Sequence, residues 1–139
     1  MNGTVRFGVS INEDLLKKFD GVIAKKGYTN RSEAVRDLIR EHLVEVEWER
    51  GDRETVGVIT IVYDHDLREL TTRLTDLQHQ HHPTIISTMH IHLDEHNCLE
   101  VLVARDKARK IKEVADKMIA TRGVKYGRLT MATSGTDLL

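Results

Sequence analysis

Six of the eight histidines and the only cysteine of this 139-residue chain lie between His79 and Cys98. Imidazole suits Zn, Cu, Fe and Ni, and thiolate suits softer ions. A mixed set with few carboxylates therefore selects a late first-row transition metal over Mg or Ca. The concentration of donors in one stretch is the functional signal of the chain.

Position within the stretch follows from local structure. Thr84 to Leu93 is rich in β-branched residues and reads as a strand, on which residues two apart share a face. His90 and His92 then point the same way, while Met89, Ile91 and Leu93 make the other face apolar and fit it to a core. Asp94 to Asn97 supplies turn residues before a second strand, Cys98 to Ala104. Pleat parity adds a demand: Cys98 sits opposite His92 only if the connection has an odd number of residues or a bulge. A metal site here requires the odd count.

His79, eleven residues before His90, followed by His-Ile-His and a cysteine six residues after His92, resembles the nickel-site pattern of the NikR family of nickel-responsive transcriptional regulators. The resemblance runs from about Val5 to Met131 and includes the Arg-Ser-Glu-Ala-Val-Arg-Asp segment at residues 31 to 37. It implies a planar Ni(II) site of His79, His90, His92 and Cys98, with His79 donated by a neighbouring subunit. It also implies a potassium site at Glu33 and Asp37 between two domains, and a nickel-uptake operon as target. From sequence alone His79 reads equally well as a charge complementing a helix C-terminus. Glu33 and Asp37 read equally well as solvated acids beside Arg36 and Arg40.

Composition bounds the rest. With 31% charged, 40% hydrophobic and 4% aromatic residues, this is a globular composition whose core must be aliphatic. No 18-residue apolar run spans a membrane, and a single cysteine favours a reducing compartment, so the expectation is a cytoplasmic protein. The formal net charge of -1 hides a gradient: residues 1 to 40 hold eight Lys/Arg against five Asp/Glu, a +3 excess that four Glu and one Arg in the next ten residues cancel. A basic module of this kind is compatible with DNA.

That module reads as a strand and two helices. Val5, Phe7, Val9 and Ile11 alternate with Arg6, Gly8 and Ser10, the period of a half-buried strand. Asn12 caps a helix with an apolar stripe of Leu15, Leu16, Phe19, Val22 and Ile23, and Gly27 stops it. Asn30 and Glu33 open a second helix with Val35, Leu38, Ile39, Leu43 and Val46 on one face. Some forty-five residues of this type cannot bury their apolar faces alone, and dimerisation is the remedy. Two strands pairing antiparallel give a ribbon-helix-helix, whose ribbon enters the DNA major groove. Arg6, Gly8 and Ser10 then form the DNA-facing side, with Arg6 suited to guanine and Ser10 to a base or phosphate. Gly8 departs from the family, which usually has a side chain there, and it reads no base.

Residues 47 to 53 are polar and read as a linker, with Trp48 packed on the end of the second helix. Beyond it come a strand (Thr55 to Tyr63), a helix (Asp66 to Gln80) with Leu67, Leu70, Leu74 and Leu77 on one face, and the two strands of the histidine hairpin. A helix (Ala104 to Thr121) with Ala108, Ile111, Val114, Ala115 and Met118 recurring and a last strand (Val124 to Met131) follow; residues 132 to 139 look frayed. This is βαββαβ, ferredoxin-like, and the resemblance makes it ACT-type.

The expected fold class is therefore α+β, with a ribbon-helix-helix DNA-binding and dimerisation domain at 1–48 and a ferredoxin-like nickel-binding and tetramerisation domain at 54–133. His81, His82 and His96 read as solvated loop residues or at most weak secondary metal contacts, and His42 and His65 as isolated packing or surface residues. The function expected is a nickel-dependent repressor on a palindromic double-stranded operator, a homotetramer of ribbon dimers with no catalytic residues. Two other classes compete. A metallohydrolase needs an open coordination position and a general base; a metal carrier or storage protein explains the ligands but not the ribbon.

Overall fold

The structure is a computed structural model that describes residues 3–138. The chain divides into two compact units, one reaching Leu43 and including the last residues from Gly135, the other Val44–Ser134.

The first unit holds α1 (Glu13–Lys25) and the start of α2 (Arg31–Arg50). Asn12 caps α1 as its sequence predicts, its Oδ1 accepting from the Asp14 and Leu15 amides. At the other end Gly27 adopts φ +90°, its amide donating to Ala24 O and the Tyr28 amide to Ile23 O. This paired closure satisfies carbonyls that the last turn would leave open, and its left-handed residue favours glycine. Asn30 accepts from the Glu33 amide at 2.9 Å, opening α2. Arg31 then grips Asp20 with two 2.8 Å bonds, a forked pair between the helices.

Little of this unit's apolar surface is covered. Ile23 and Ala34 are buried, but Leu15, Val22, Leu38, Ile39 and Leu43 remain about half exposed. Residues 3–12 belong to no helix or strand, and Val5, Phe7 and Val9 are 82%, 69% and 71% exposed. Among the described residues the expected strand has no pairing neighbour, and an isolated strand does not persist.

The second unit closes on itself. β1 (Glu54–Asp64), α3 (Arg68–Gln80), β2 (Ile85–His92), β3 (Asn97–Lys107), α4 (Ala108–Ile119) and β4 (Val124–Met131) follow one another. They form a four-stranded antiparallel sheet in the order β2-β3-β1-β4. This is the βαββαβ arrangement expected. Ile59, Ile61, Leu102 and Ala104 of the sheet meet Leu70 and Leu74 of α3 and Ile111, Val114, Ala115 and Met118 of α4 in one buried core. Burying each large aliphatic side chain favours folding by roughly 1.5–3 kcal/mol.

Four expectations change. The 47–53 linker shrinks, because α2 runs to Arg50. Trp48 is not mere end packing: it is buried in the core, with Nε1 donating to Ala132 O at 2.9 Å. Gly57 makes room, since a Cβ there would lie 3.0 Å from the Trp48 ring and from Ile111. That hydrogen bond, with the Ala132 amide donating to Val56 O, also ties down the start of a tail expected to fray. Finally, residues 104–107 continue β3 instead of opening the helix, because β1 pairs along that whole length, Glu54 opposite Lys107.

Candidate metal centre

The hairpin register is set by its turn. Asp94 accepts from the Asn97 side chain and from the backbone amides of Asn97 and His96, which in that order hold its carboxyl down to about 2. The Leu93 amide donates to Asn97 O at 2.9 Å. His92 therefore pairs directly with Cys98 and His90 with Glu100, the odd-count connection that parity requires. Opposed residues of an antiparallel pair share a face, so His90 and His92 lie on the side where Cys98, Glu100 and Leu102 are buried. The expected apolar side behaves differently. Met89, Ile91 and Leu93 lie on the opposite face of an edge strand, exposed by 59%, 37% and 52%, because both helices that pack on this sheet cover its other side.

Cys98 Sγ is the centre of the donor group. His92 Nδ1 lies 3.4 Å from it and His65 Nδ1 3.1 Å, and one donor atom from each of the three residues falls within 4.8 Å of the others. The His90 ring stands 5.1 Å from that of His92. Burial, ahead of the negative charge of Glu100 and Asp64, pushes the Cys98 thiol up from its ordinary range. A thiol in that state becomes a strong ligand once a cation displaces its proton.

Beside the sulfur lies a buried polar network. Tyr63 OH donates to Glu100 Oε2 at 2.9 Å, and Gln78 Nε2 donates to Glu100 Oε1 at 2.7 Å. Burial first, then the Glu100 charge, raises the Tyr63 pKa and keeps the phenol protonated. With that proton committed to Glu100, the Tyr63 oxygen can only accept from His90 Nδ1, 3.3 Å away. His90 then carries its proton on Nδ1 and keeps the Nε2 lone pair for a ligand. The donors, and the hydrogen bonds that Tyr63 and Glu100 place behind His90, thus fit a borderline-soft cation such as Ni(II).

The other expected site residues are not drawn into this group. His79 stands exposed in the last turn of α3, and among the described residues no donor cluster of this chain includes it. Arg6, Gly8 and Ser10 are exposed in the segment ahead of α1. Glu33 and Asp37 lie on an exposed part of α2. Asp37 accepts from Tyr28 OH at 2.5 Å and Arg40 Nη1 at 3.1 Å, and the tyrosine bond, ahead of Arg40, lowers its pKa.

Two histidines depart from their expected roles. His81 is half-buried rather than solvated, and burial, ahead of nearby Lys110 and Lys117, lowers its pKa. His65 is not isolated. The signal for it lay in the topology: a βαββαβ sheet sets its first strand beside its third, so a residue just past the end of β1 falls beside the start of β3. His96, in contrast, is exposed as expected, with Nδ1 2.6 Å from Asp66 Oδ2, a bond that raises its pKa.

The sequence of the NikR C-terminal nickel-binding domain matches residues 56–132, and that of ribbon-helix-helix proteins of the copG family matches residues 5–46. The chain is 60% identical to a protein of Geobacter sulfurreducens and 58% identical to one of Geotalea uraniireducens, each over 99% of both chains. A Pyrococcus furiosus protein is 55% identical over 99% of both chains. All three bear the name nickel-responsive regulator. In structure, an uncharacterized Thermotoga maritima protein aligns with 56% of this chain and 96% of its own at a TM-score of 0.51 and 18% identity, a likeness of fold. Among the described residues no helix is long and apolar enough to cross a membrane. With a nickel-binding-domain match over more than half its length and relatives this similar from end to end, the chain belongs to the NikR family of nickel-responsive regulators.

Proposed function

We propose that this protein is a nickel-dependent repressor of nickel-uptake genes, binding a palindromic operator when Ni(II) is held by His90, His92 and Cys98 with His79 of a second chain. The observation that carries the reading is the register of His92 against Cys98, which sets thiol and imidazole 3.4 Å apart on one side of the hairpin. When bound, nickel would supply a borderline-soft cation suited to imidazole and thiolate donors. Cys98 would hold it as the thiolate, Tyr63 and Glu100 would fix the tautomer of His90, and Gln78 ties the end of α3 to Glu100 beside His90.

Residues 1–48 form the DNA-binding and dimerisation domain on this reading, and 54–133 the nickel-binding and tetramerisation domain. The uncovered Val5, Phe7 and Val9 and the open stripes of α1 and α2 support pairing of two N-terminal segments into a ribbon. Arg6 and Ser10 then face DNA beside Gly8. The exposed Met89, Ile91 and Leu93 support assembly of a homotetramer through the sheet. Glu33 and Asp37 are the proposed potassium ligands. Nickel must bind the DNA-competent arrangement more tightly than the other, because a ligand shifts an equilibrium only by its differential affinity.

A gel-shift titration of operator DNA with and without nickel tests the function. The expected result is a shift that needs nickel and is lost in Cys98→Ala, together with loss of the thiolate-to-nickel absorption band. Equal DNA affinity with and without nickel contradicts it. Sequence-specific binding also separates this reading from a metal carrier and from a metallohydrolase, neither of which needs it.

A further inference from the structure

We propose that the DNA-facing side of the ribbon has two reading points and a bare centre: Arg6 of each chain stands beside Ser10 of the other, and the paired Gly8 residues between them leave the central base pairs unread. The proposal rests on the ribbon assignment made above and gives it a form of operator.

Symmetry sets the arrangement. Two identical strands that pair antiparallel join residues whose numbers have a constant sum. The fullest overlap of the apolar row Val5, Phe7, Val9 and Ile11 sets Val5 opposite Ile11 and Phe7 opposite Val9, and gives a neighbour to each of these exposed side chains. The same register puts Gly8 opposite Gly8 and Arg6 opposite Ser10, and opposed residues share a face. Nothing in the fold asks for glycine at position 8. A Cβ there would meet no atom within 4 Å, and its φ lies outside the left-handed region. Gly57, by contrast, makes room for Trp48. A glycine inside a strand weakens it, and one with no steric duty marks a place where a ligand comes close to the backbone. On the DNA-facing side of a ribbon that ligand is the floor of the major groove.

Arg6 and Ser10 lie four residues apart along one strand. At about 3.4 Å per residue the two reading points are roughly 14 Å apart. Base pairs follow one another at about 3.4 Å, so the two contacts suited to guanine fall about four steps apart within each half-site. Between them no side chain reaches a base edge. Each half-site is then symmetrical about a tolerant centre, and its specificity gathers at two spots.

The test uses the full-length protein with Ni(II). Sites are selected from random duplex DNA, and each base pair of the enriched site is changed in turn and scored by gel shift for wild type and Gly8→Thr. In wild type, changing the pair under an Arg6 should cost roughly five- to 150-fold in affinity, the worth of a bidentate guanine contact. The pairs between the two Arg6 positions should matter by less than about twofold, well under an ordinary mismatch. Gly8→Thr adds a side chain that favours strands, and should make one of those pairs selective by about fivefold or more, the lower end of a direct contact. Wild-type selectivity as strong between the reading points as at them overturns the proposal, as does a Gly8→Thr scan that matches wild type. The wild-type scan decides on its own should the variant not bind. Failure of the nickel reading would appear separately, as an enriched site bound equally with and without nickel.

Discussion

The two units of the chain solve the same problem to different extents. From Val44 to Ser134, most residues that the helical and strand periods assign to the core find a partner: Ile59, Ile61, Leu102, Ile111 and Met118 are fully buried, and Leu67 at the head of α3 stays about half exposed. Before Leu43 the same kind of pattern ends in open surface: Phe7 and Val9 touch no sheet, and Leu15, Leu38 and Leu43 stay about half exposed. The difference lies in closure. A four-stranded sheet under two helices has enough chain to cover one face, whereas one extended segment and two helices do not. Amphipathic patterning therefore states that a face will be covered without stating by which molecule.

Substitutions can sharpen that contrast. Leu102→Ala removes a side chain at the centre of the closed unit and should destabilise it by about 2–5 kcal/mol, read as a lower urea midpoint of the C-terminal transition. A change below about 0.5 kcal/mol would mean that this core is not close-packed. In the open unit the effect should appear in binding. Arg6→Ala should weaken operator binding by roughly 1–3 kcal/mol and leave the nickel band unchanged. Unaltered operator affinity would remove the ribbon from the DNA interface.

A smaller effect, about 1.4 kcal/mol per pH unit, concerns protons at the metal centre. Burial raises the Cys98 pKa, so the free thiol stays protonated through neutral pH, and nickel binding must release that proton. Nickel affinity should therefore fall by about tenfold for each unit that pH drops between 8 and 7, the slope of one displaced proton. Cys98→Ala should lose that part of the slope. A wild-type affinity flat across the interval would mean that no thiolate forms.

Much of the second unit was legible because its periods and turns agree with its tertiary contacts. The parity argument tied a metal site at His92 and Cys98 to an odd-count connection without fixing that count, and the register has it. What was not legible depended on neighbours far away in sequence. Trp48 read as the end of a helix because nothing local shows that the floor of β1 opens at Gly57 to receive it. Met89, Ile91 and Leu93 read as core because alternation cannot tell a covered face from an open one. His65 looked isolated along the chain, and only the antiparallel pairing of β1 with β3 brings it to Cys98.

On the proposed reading nickel joins two chains through His79, and a mixed pair of variants shows whether it does. One chain carries His79→Ala and the other Cys98→Ala; the two are refolded together, isolated by separate tags and titrated with nickel while the thiolate band is followed. If His79 is donated across the interface, the first chain's His90, His92 and Cys98 meet the second chain's intact His79, and the reciprocal site lacks two ligands. The predicted result is about half the wild-type band, with metal occupancy linked to assembly. A mixed pair that gives no band, while wild-type chains treated identically do, would contradict the account and place the nickel site inside a single chain.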